Sequence, residues 1–599
     1  VIAVFQGLSD IRDKKKPKIK NKQMKLSIIF SMIFLYTFPV FAQTTGGSNV
    51  PQDEMVITYW DQNKKKIRSK GKYNYSGFSG IGKQDGKWEF YYENGKLEEV
   101  AHYNKGKLHG KVTKYWENGK KMHEGFFKED YIDSTMKSWY ENGKVHEEGT
   151  YKKGDKIGMW KYFDPSGKPT YEEKHADGKI YLISFWNHKG EKTVDNGNGE
   201  KIEYYSTFES DKIKPMVKLK YSYKNGLENG PFEEFNPAGK TIAKGSYNDG
   251  KKEGDWMFAF RDGIVFKKIS YKDDKMHGPY EQFLITDSSY FAQITGSYAE
   301  GKKHGEWIWK FANEKIDMKG NFENDLQEGL WYFGYESGGK NYEGSFSKGL
   351  RTGEWTFFYP TGELWKKGSY DEDFRSGEWT TWYEDGTKLS NGNYENDQPE
   401  GVWTSWYENG QTKDEGSFKK GVMDGVWKGW YPNGKMSYSG FYTDGFKSGH
   451  WVYWFDNGKI LDEGDFKIVK RIEQLNAAGT LTPEFTEAAK HGKWISYNDR
   501  GEKITEGSYN EGVKNGKWIF YQPGGLLVAN EMNYKNGELH GKSITYNRSG
   551  KVESELEYKE NLKHGDAKIY DAKGRLLSHK VYKDGKIEKI IVDPKLPDK

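Results

Sequence analysis

The chain has 599 residues, enough for about four ordinary domains at roughly 150 residues each, but its 72 Gly, its 16% aromatic residues and a mean hydropathy of −0.97 exclude an ordinary aliphatic core. Of the formal charge of +5, residues 1–42 supply eight Lys/Arg against two Asp/Glu, which leaves a near-neutral body without the clustered cationic face that nucleic-acid binding needs. With no cysteine there is no disulfide, no thiolate metal site, no cysteine nucleophile and no lipid-modified N-terminal Cys.

In chain order, the first element is MKLSIIFSMIFLYTFPVFAQ from Met24. A lysine start, an apolar run from Leu26 to Phe38 and the small-residue spacing Val40-Phe41-Ala42 predict a secretory signal peptide. A membrane anchor needs about 20 apolar residues, and this run ends sooner, at Pro39. Residues 1–23, with RDKKKPKIKNK, read as lying upstream of the true start.

From there the chain repeats itself. Taking the Gly of G-x-W as position zero, it recurs at Gly86, Gly110, Gly158, Gly230, Gly254, Gly278, Gly305, Gly329, Gly353, Gly377, Gly401, Gly425, Gly449, Gly492, Gly516, Gly541 and Gly565, mostly at intervals of 24, with Ser134 standing in once. The gap from Gly158 to Gly230 is 72 residues, room for two decayed copies in phase. Asn-Gly pairs at Asn94, Asn118, Asn142, Asn409 and Asn457 predict two-residue type I′ turns. Each unit then supplies two strands, and Trp403 faces Gly416 across its hairpin, as Trp379 faces Gly392 and Trp427 faces Gly440. The expectation is that each ring lies across the bare backbone of the Gly it faces. Stacked copies give an all-β fold, a long, twisted antiparallel ribbon of about twenty 24-residue hairpins.

Units of the form G-x-W-x-x-[YW]-[YF]-x-x-G-K followed by G-x-[YF]-x-x-G resemble MORN repeats, specifically the bacterial MORN-variant family, over roughly residues 57–587. The resemblance implies hairpin ribbons that serve as scaffolds and interaction surfaces. Some bacterial relatives carry an antitoxin label and MORN repeats elsewhere are linked to membrane lipids, but a signal peptide removes this chain from cytoplasmic toxins, and no broad basic face is visible. The expected organisation is a signal peptide over 24–42, a linker over 43–56, MORN-type repeats over 57–173, degenerate repeats over 174–222, repeats over 223–467, an insertion over 468–490 with a short helix starting at Thr482-Pro483-Glu484 before FTEAAK, repeats over 491–587 and a C-terminal tail over 588–599.

Enzyme chemistry finds no purchase in this pattern, and neither catalytic residues nor a cofactor or metal are expected. His-Gly recurs at His109, His277, His304, His491, His540 and His564, but copies two strand spacings apart stand about 10 Å from each other, whereas shared zinc ligands lie near 2 Å from one ion. Gly80-Ile81-Gly82 misses the phosphate-loop spacing and leads into a strand. Turn carboxylates such as Glu93, Glu117, Glu141, Glu384 and Glu408 form a row where a glycosidase needs a unique converging pair.

One feature departs from plain repetition. Five residues after the zero Gly, on the face opposite Trp403, four consecutive copies carry Trp382, Trp406, Trp430 and Trp454 among polar or small neighbours such as Glu378 and Thr380. As a candidate ligand surface this row suits stacking on sugar rings, and its texture is similar to that of cell-wall-binding hairpin repeats. The plainer reading is that the indoles cover the second face, packing on Leu389 and Leu461. The sequence therefore points to an exported, non-enzymatic β-repeat scaffold in the periplasm, envelope or outside the cell. Its partners are expected to be proteins, with an envelope polysaccharide as the alternative, no nucleic acid, and no transmembrane segment once the signal is removed. Export predicts that N-terminal sequencing of the envelope-purified protein starts at Gln43; a full-length cytoplasmic product overturns it.

Overall fold

The computed structural model describes residues 53–75, 82–205, 216–286, 289–472, 474–475 and 481–592. The signal peptide, the upstream segment, most of the linker, Gly80 and Ile81 lie outside them. Every regular element among the described residues is a β-strand, and the pairings between strands are antiparallel. The chain divides into two compact units, one of residues 1–119 and 127–130, the other of 120–126 and 131–599. In the first, strands Asp53–Tyr59, Ile67–Asn74, Lys83–Tyr91, Leu97–Asn104 and Gly110–Tyr115 pair in sequence. In the second, the hairpins follow one another up to Lys586–Val592, so the ladder runs into what the sequence marks as a tail.

Three successive strands of the second unit show how a copy is built: Lys388–Glu395, Gln398–Trp406 and Thr412–Lys419. Within the hairpin, Gly401 pairs with Phe418 and Trp403 with Gly416, the register expected from the sequence. The turn that sets it differs from expectation. Gly410 has φ +79°, Asn409 stays at negative φ, and the Gly410 N–H donates to the Tyr407 carbonyl at 2.9 Å, a three-residue loop whose last residue is a bulge glycine. A compensating irregularity on the return strand, where Ser405 pairs with Asp414 but Trp406 with Thr412, restores the register. The type I′ turns sit between copies, as at Glu372-Asp373 (φ 45° and 75°), Asn396-Asp397 (50° and 65°) and Lys420-Gly421 (50° and 82°).

The larger correction concerns the rings. Trp403 does not cover Gly416, the residue it faces in its own hairpin; it covers Gly392 on the return strand of the preceding copy, and Gly416 is covered by Trp427. A Cβ added at Gly416 would lie 2.1 Å from Cδ2 of Trp427, and one at Gly392 2.1 Å from Cδ2 of Trp403. Likewise Trp379 covers Gly368, and Gly440 is covered by Trp451. The cause is a bulge between copies: Asn391 pairs with Thr404 and Asn393 with Glu400, so Gly401, Val402 and Trp403 together oppose Gly392 alone. Gly401 makes this bend at φ +70°, and a Cβ there would meet nothing within 4 Å, so its backbone conformation, rather than space, selects glycine. Gly392 and Gly416 are selected by the ring that occupies the side-chain position.

Each indole also donates its Nε1–H to the carbonyl just after the covered glycine: Trp355 to Ser345 at 3.2 Å, and Trp379 to Ser369, Trp403 to Asn393 and Trp427 to Ser417 at 3.1 Å each. Trp88 makes the same bond to the Lys72 carbonyl and Trp518 to that of Ser508, each at 3.0 Å. The rings continue edge-to-face through the aromatic seventeen residues past the zero Gly: Tyr394 to Trp403 at 5.1 Å, Trp403 to Phe418 at 5.9 Å, Phe418 to Trp427 at 5.2 Å, each pair adding about 0.5–1.5 kcal/mol beyond area burial. Cations two residues before the zero Gly cap this column, with Arg375 3.9 Å from the Tyr394 ring centroid and Lys490 3.6 Å from that of Trp494. Trp331 and Trp451 are thereby left 1% exposed.

The insertion over 468–490 holds a further correction. FTEAAK forms no helix: Phe485–Tyr497 is one long strand against Ile460–Arg471, with pairs from Phe466–Lys490 to Arg471–Phe485. Burial of Val469 and Ala489 and the Arg471–Glu487 ion pair at 2.8 Å come with the ladder, and these override the helix preference of Ala and Lys. Over 174–222 the degenerate copies keep the antiparallel order, with strands Lys179–Trp186, Lys192–Asp195, Asn198–Tyr204 and Val217–Lys224.

The clasp predicts that Gly416→Val destabilises locally by at least the about 1–3 kcal/mol of an overpacked core, while Gly410→Asn, at a turn open to solvent, costs a few tenths because Asn tolerates the left-handed conformation. In a double-mutant cycle read by local hydrogen exchange, Trp427→Ala relieves Gly416→Val and Trp403→Ala does not.

Candidate functional site

The four indoles singled out from the sequence stand on consecutive hairpins, each at the last paired position before the bulge-glycine loop. Across its own hairpin Trp382 faces Lys388, Trp406 faces Thr412, Trp430 faces Met436 and Trp454 faces Ile460. The expected packing partners therefore shift by one residue: Trp454 sits opposite Ile460 while Leu461 is 37% exposed, and Trp382 sits opposite Lys388 with Leu389 beside it. All four rings are half-buried.

Their backbone is held firmly. The hydroxyl of a tyrosine in the preceding copy donates to the carbonyl of each Trp: Tyr359 to Trp382 at 2.9 Å, Tyr383 to Trp406 at 3.0 Å, Tyr407 to Trp430 at 2.9 Å and Tyr431 to Trp454 at 2.7 Å. Burial lifts the phenols of Tyr359, Tyr383 and Tyr407 above their usual value, so these donors stay protonated. Asn409 and Asn433 add a second rung, donating Nδ2–H to the carbonyls of Pro432 at 2.8 Å and Asp456 at 2.7 Å. The loops of successive copies are thus laced together, and the Trp row keeps a fixed spacing of two strands, about 9.6 Å before twist.

The side chains are less committed than the backbone. Among the described residues none of the four indole N–H groups has a protein acceptor and none of the rings has an aromatic partner, in contrast to the clasping Trp on the other face; the Lys388 ammonium lies over the Trp406 ring, 5.8 Å from its centroid. The sequence reading missed how far this stripe extends. Phe358, Tyr497, Tyr521, Tyr546 and Tyr570 occupy the same position in other copies, visible once the copies are aligned across the insertion. There Tyr497 and Tyr521 spend their hydroxyls on Glu463 and Glu506, at 2.8 and 2.5 Å.

A second row was also missed. Three residues before the zero Gly, at the type I′ turns between copies, Leu326, Leu350, Phe374 and Val422 are 48%, 37%, 48% and 42% exposed, with Gln398 between the last two. On the strands beside them Leu330, Val402 and Val426 are 63%, 61% and 50% exposed. No three His, Asp or Glu side chains among the described residues converge as metal ligands; His109, His277 and His564 each face one carboxylate, of Glu129, Glu300 and Asp584. No helix among the described residues is long and apolar enough to cross a membrane.

The two Trp rows predict opposite sensitivities. Trp427→Ala removes a clasping ring and costs about 3–5 kcal/mol, as truncation of buried aromatics does; Trp430→Ala costs under about 1 kcal/mol, the range of a substitution away from the packed core. Local hydrogen-exchange protection of Ser417 and Ser439 reads both.

Nine segments of the chain, residues 84–105, 108–129, 132–153, 303–324, 351–372, 375–396, 399–420, 423–444 and 539–560, match the MORN repeat variant model. No curated protein matches the sequence. Solved structures with a likeness include a crystal structure of TcdB2-TccC3-Cdc42 (9% identity, TM-score 0.12, covering 88% of this chain and 31% of that one). Others are TcdB2-TccC3 without its hypervariable C-terminal region (8%, 0.12, 86% and 32%) and a Photorhabdus luminescens Tc holotoxin pore (10%, 0.13, 89% and 34%). The chain spans about a third of their length, and at these scores they carry no argument.

Proposed function

From this repeat scaffold of MORN-variant hairpins we propose an exported, non-enzymatic protein that docks other proteins along the turn edge between its copies. The observation that carries the reading is the row Leu326, Leu350, Phe374 and Val422, apolar and exposed at one position in four of five successive copies, with Gln398 in the fifth. Exposed apolar side chains that recur in register form a contiguous patch, and contiguous patches on soluble proteins mark interaction surfaces. The scaffold suits this use because copies laced turn to turn present their edge residues at a fixed interval. The signal-like segment over 24–42 supports export, and the reading leaves out catalysis because the turn carboxylates recur one per copy without a unique pair.

A photo-crosslinking residue at Phe374 or Val422, in cells that make the protein, is expected to trap the same partner, and one at Glu384 on the opposite turn edge to trap none. Phe374→Lys combined with Val422→Lys abolishes the adducts while the β-sheet signal is retained. Equal trapping from both edges, or adducts that survive the double substitution, overturns the docking edge.

A further inference from the structure

We infer that the row Trp382, Trp406, Trp430 and Trp454 is a binding face for a single extended chain of β-1,4-linked sugar rings, lying across the strands with one disaccharide per hairpin. The inference goes beyond the protein-docking edge, which lies at the other turns, and it holds or fails independently of it.

The first argument is that the fold does not ask for indoles there. The same position carries Ala259 and Lys310 in other copies, paired with Val265 and Ile316 by the same register and followed by the same loop. A residue that the ladder replaces with alanine or lysine is not a structural requirement, yet four consecutive copies hold the largest side chain available. The clasping Trp of the opposite face, by contrast, is tied through its N–H to a backbone carbonyl in copy after copy.

The second argument is chemical. Each of the four indoles keeps a flat apolar ring and an N–H donor without a protein acceptor, so it offers a platform for the C–H face of a pyranose and a donor for one of its hydroxyls. Polar groups stand beside the first two rings, Lys388 opposite Trp382, Thr412 opposite Trp406, and Thr380, hydrogen-bonded to Asn391 at 2.8 Å, beside Trp382, while Met436 and Ile460 extend the apolar surface opposite Trp430 and Trp454. A half-buried indole, with an apolar body and a polar N–H tip, suits a ligand that is apolar on one face and wet on the other.

The third argument is metric. Tyrosine hydroxyls pin the carbonyl of each Trp to the preceding copy, so the rings recur every two strands, about 9.6 Å. One disaccharide of an extended β-1,4-linked chain matches that interval, and the rings alternate their faces along such a chain so that every second ring presents the same side. Strand twist of about 20–25° turns each hairpin by roughly 40–50° relative to the last. A row that winds in this way fits one flexible chain and mismatches the flat face of a crystalline polysaccharide.

Isothermal titration of the full-length protein with soluble cello- and chito-oligosaccharides of two, four, six and eight rings tests this directly. Affinity is expected to rise at least tenfold from two rings to eight in one of the two series, because each added disaccharide reaches one more Trp, and to be lost when all four Trp are replaced by Thr. Trp430→Lys, which installs the residue already present at 310, keeps the melting temperature and lowers the affinity for eight rings severalfold. Failure of eight rings to bind, affinity that does not grow with length, or unchanged binding by Trp430→Lys overturns the inference. Retention on crystalline chitin or cellulose as tight as on the soluble chains overturns the single-chain geometry. Crosslinking from Phe374 is expected to be unaffected by all of these substitutions, which separates this face from the protein-docking edge.

Discussion

Everything in this fold depends on a ring reaching backwards. A tryptophan two residues past a bulge lies flat on a glycine of the preceding copy and hands its N–H to the next carbonyl, so that each 24-residue unit is closed by its neighbour rather than by itself. The contact combines area, an edge-to-face ring on either side and a hydrogen bond worth about 0.5–1.5 kcal/mol net. It explains how a sheet with so few aliphatic residues buries Trp331 and Trp451 almost completely. Two glycines per copy serve it for different reasons: Gly401 for its positive φ, and Gly416 for the space that Trp427 fills.

With the core arranged in this way, the two edges of each hairpin are free to differ. The bulge-glycine loops are tied to one another by Tyr hydroxyls and Asn amides, which makes that edge regular and leaves the adjacent Trp row at constant spacing. The type I′ turns between copies are held through side chains such as Arg375, whose Nε donates to Asp397 at 2.9 Å, and carry the exposed apolar residues. Turn chemistry thus sorts the two candidate surfaces, one rigid and aromatic, the other apolar and set on tight turns.

Much of this was legible in the sequence because a repeat averages away local ambiguity. One Asn-Gly or one G-x-W says little, but seventeen zero glycines fix the strands, the place of each turn and the register of Trp403 with Gly416, though not the turn type, since a bulge glycine and a two-residue turn leave the same Asn-Gly signature. The identity of the covered glycine was not legible, because a bulge moves a ring to the neighbouring strand without changing any residue spacing, and Gly401 reads equally well as a plain strand glycine. FTEAAK misled for a different reason: its local helix preference is real, but the strand Ile460–Arg471 already offered an open ladder. At the candidate surface the sequence located the four indoles and their shared face. It did not show which side chain each one faces, because the irregularity at Lys413 shifts the opposite strand by one residue beside the loop.

The backward reach of the clasp gives the ribbon a direction. Trp403 lies eleven residues after the glycine it covers, and its hydrogen-bond acceptor lies ten before it. A chain emerging N-terminus first from a ribosome therefore always holds the receiving glycine before the ring that closes on it arrives. Each copy completes its predecessor within a short loop, on the timescale of local closure rather than of long-range search. Each glycine waits only for the ring of the next copy, so growth by added copies extends the sheet without lengthening the folding problem.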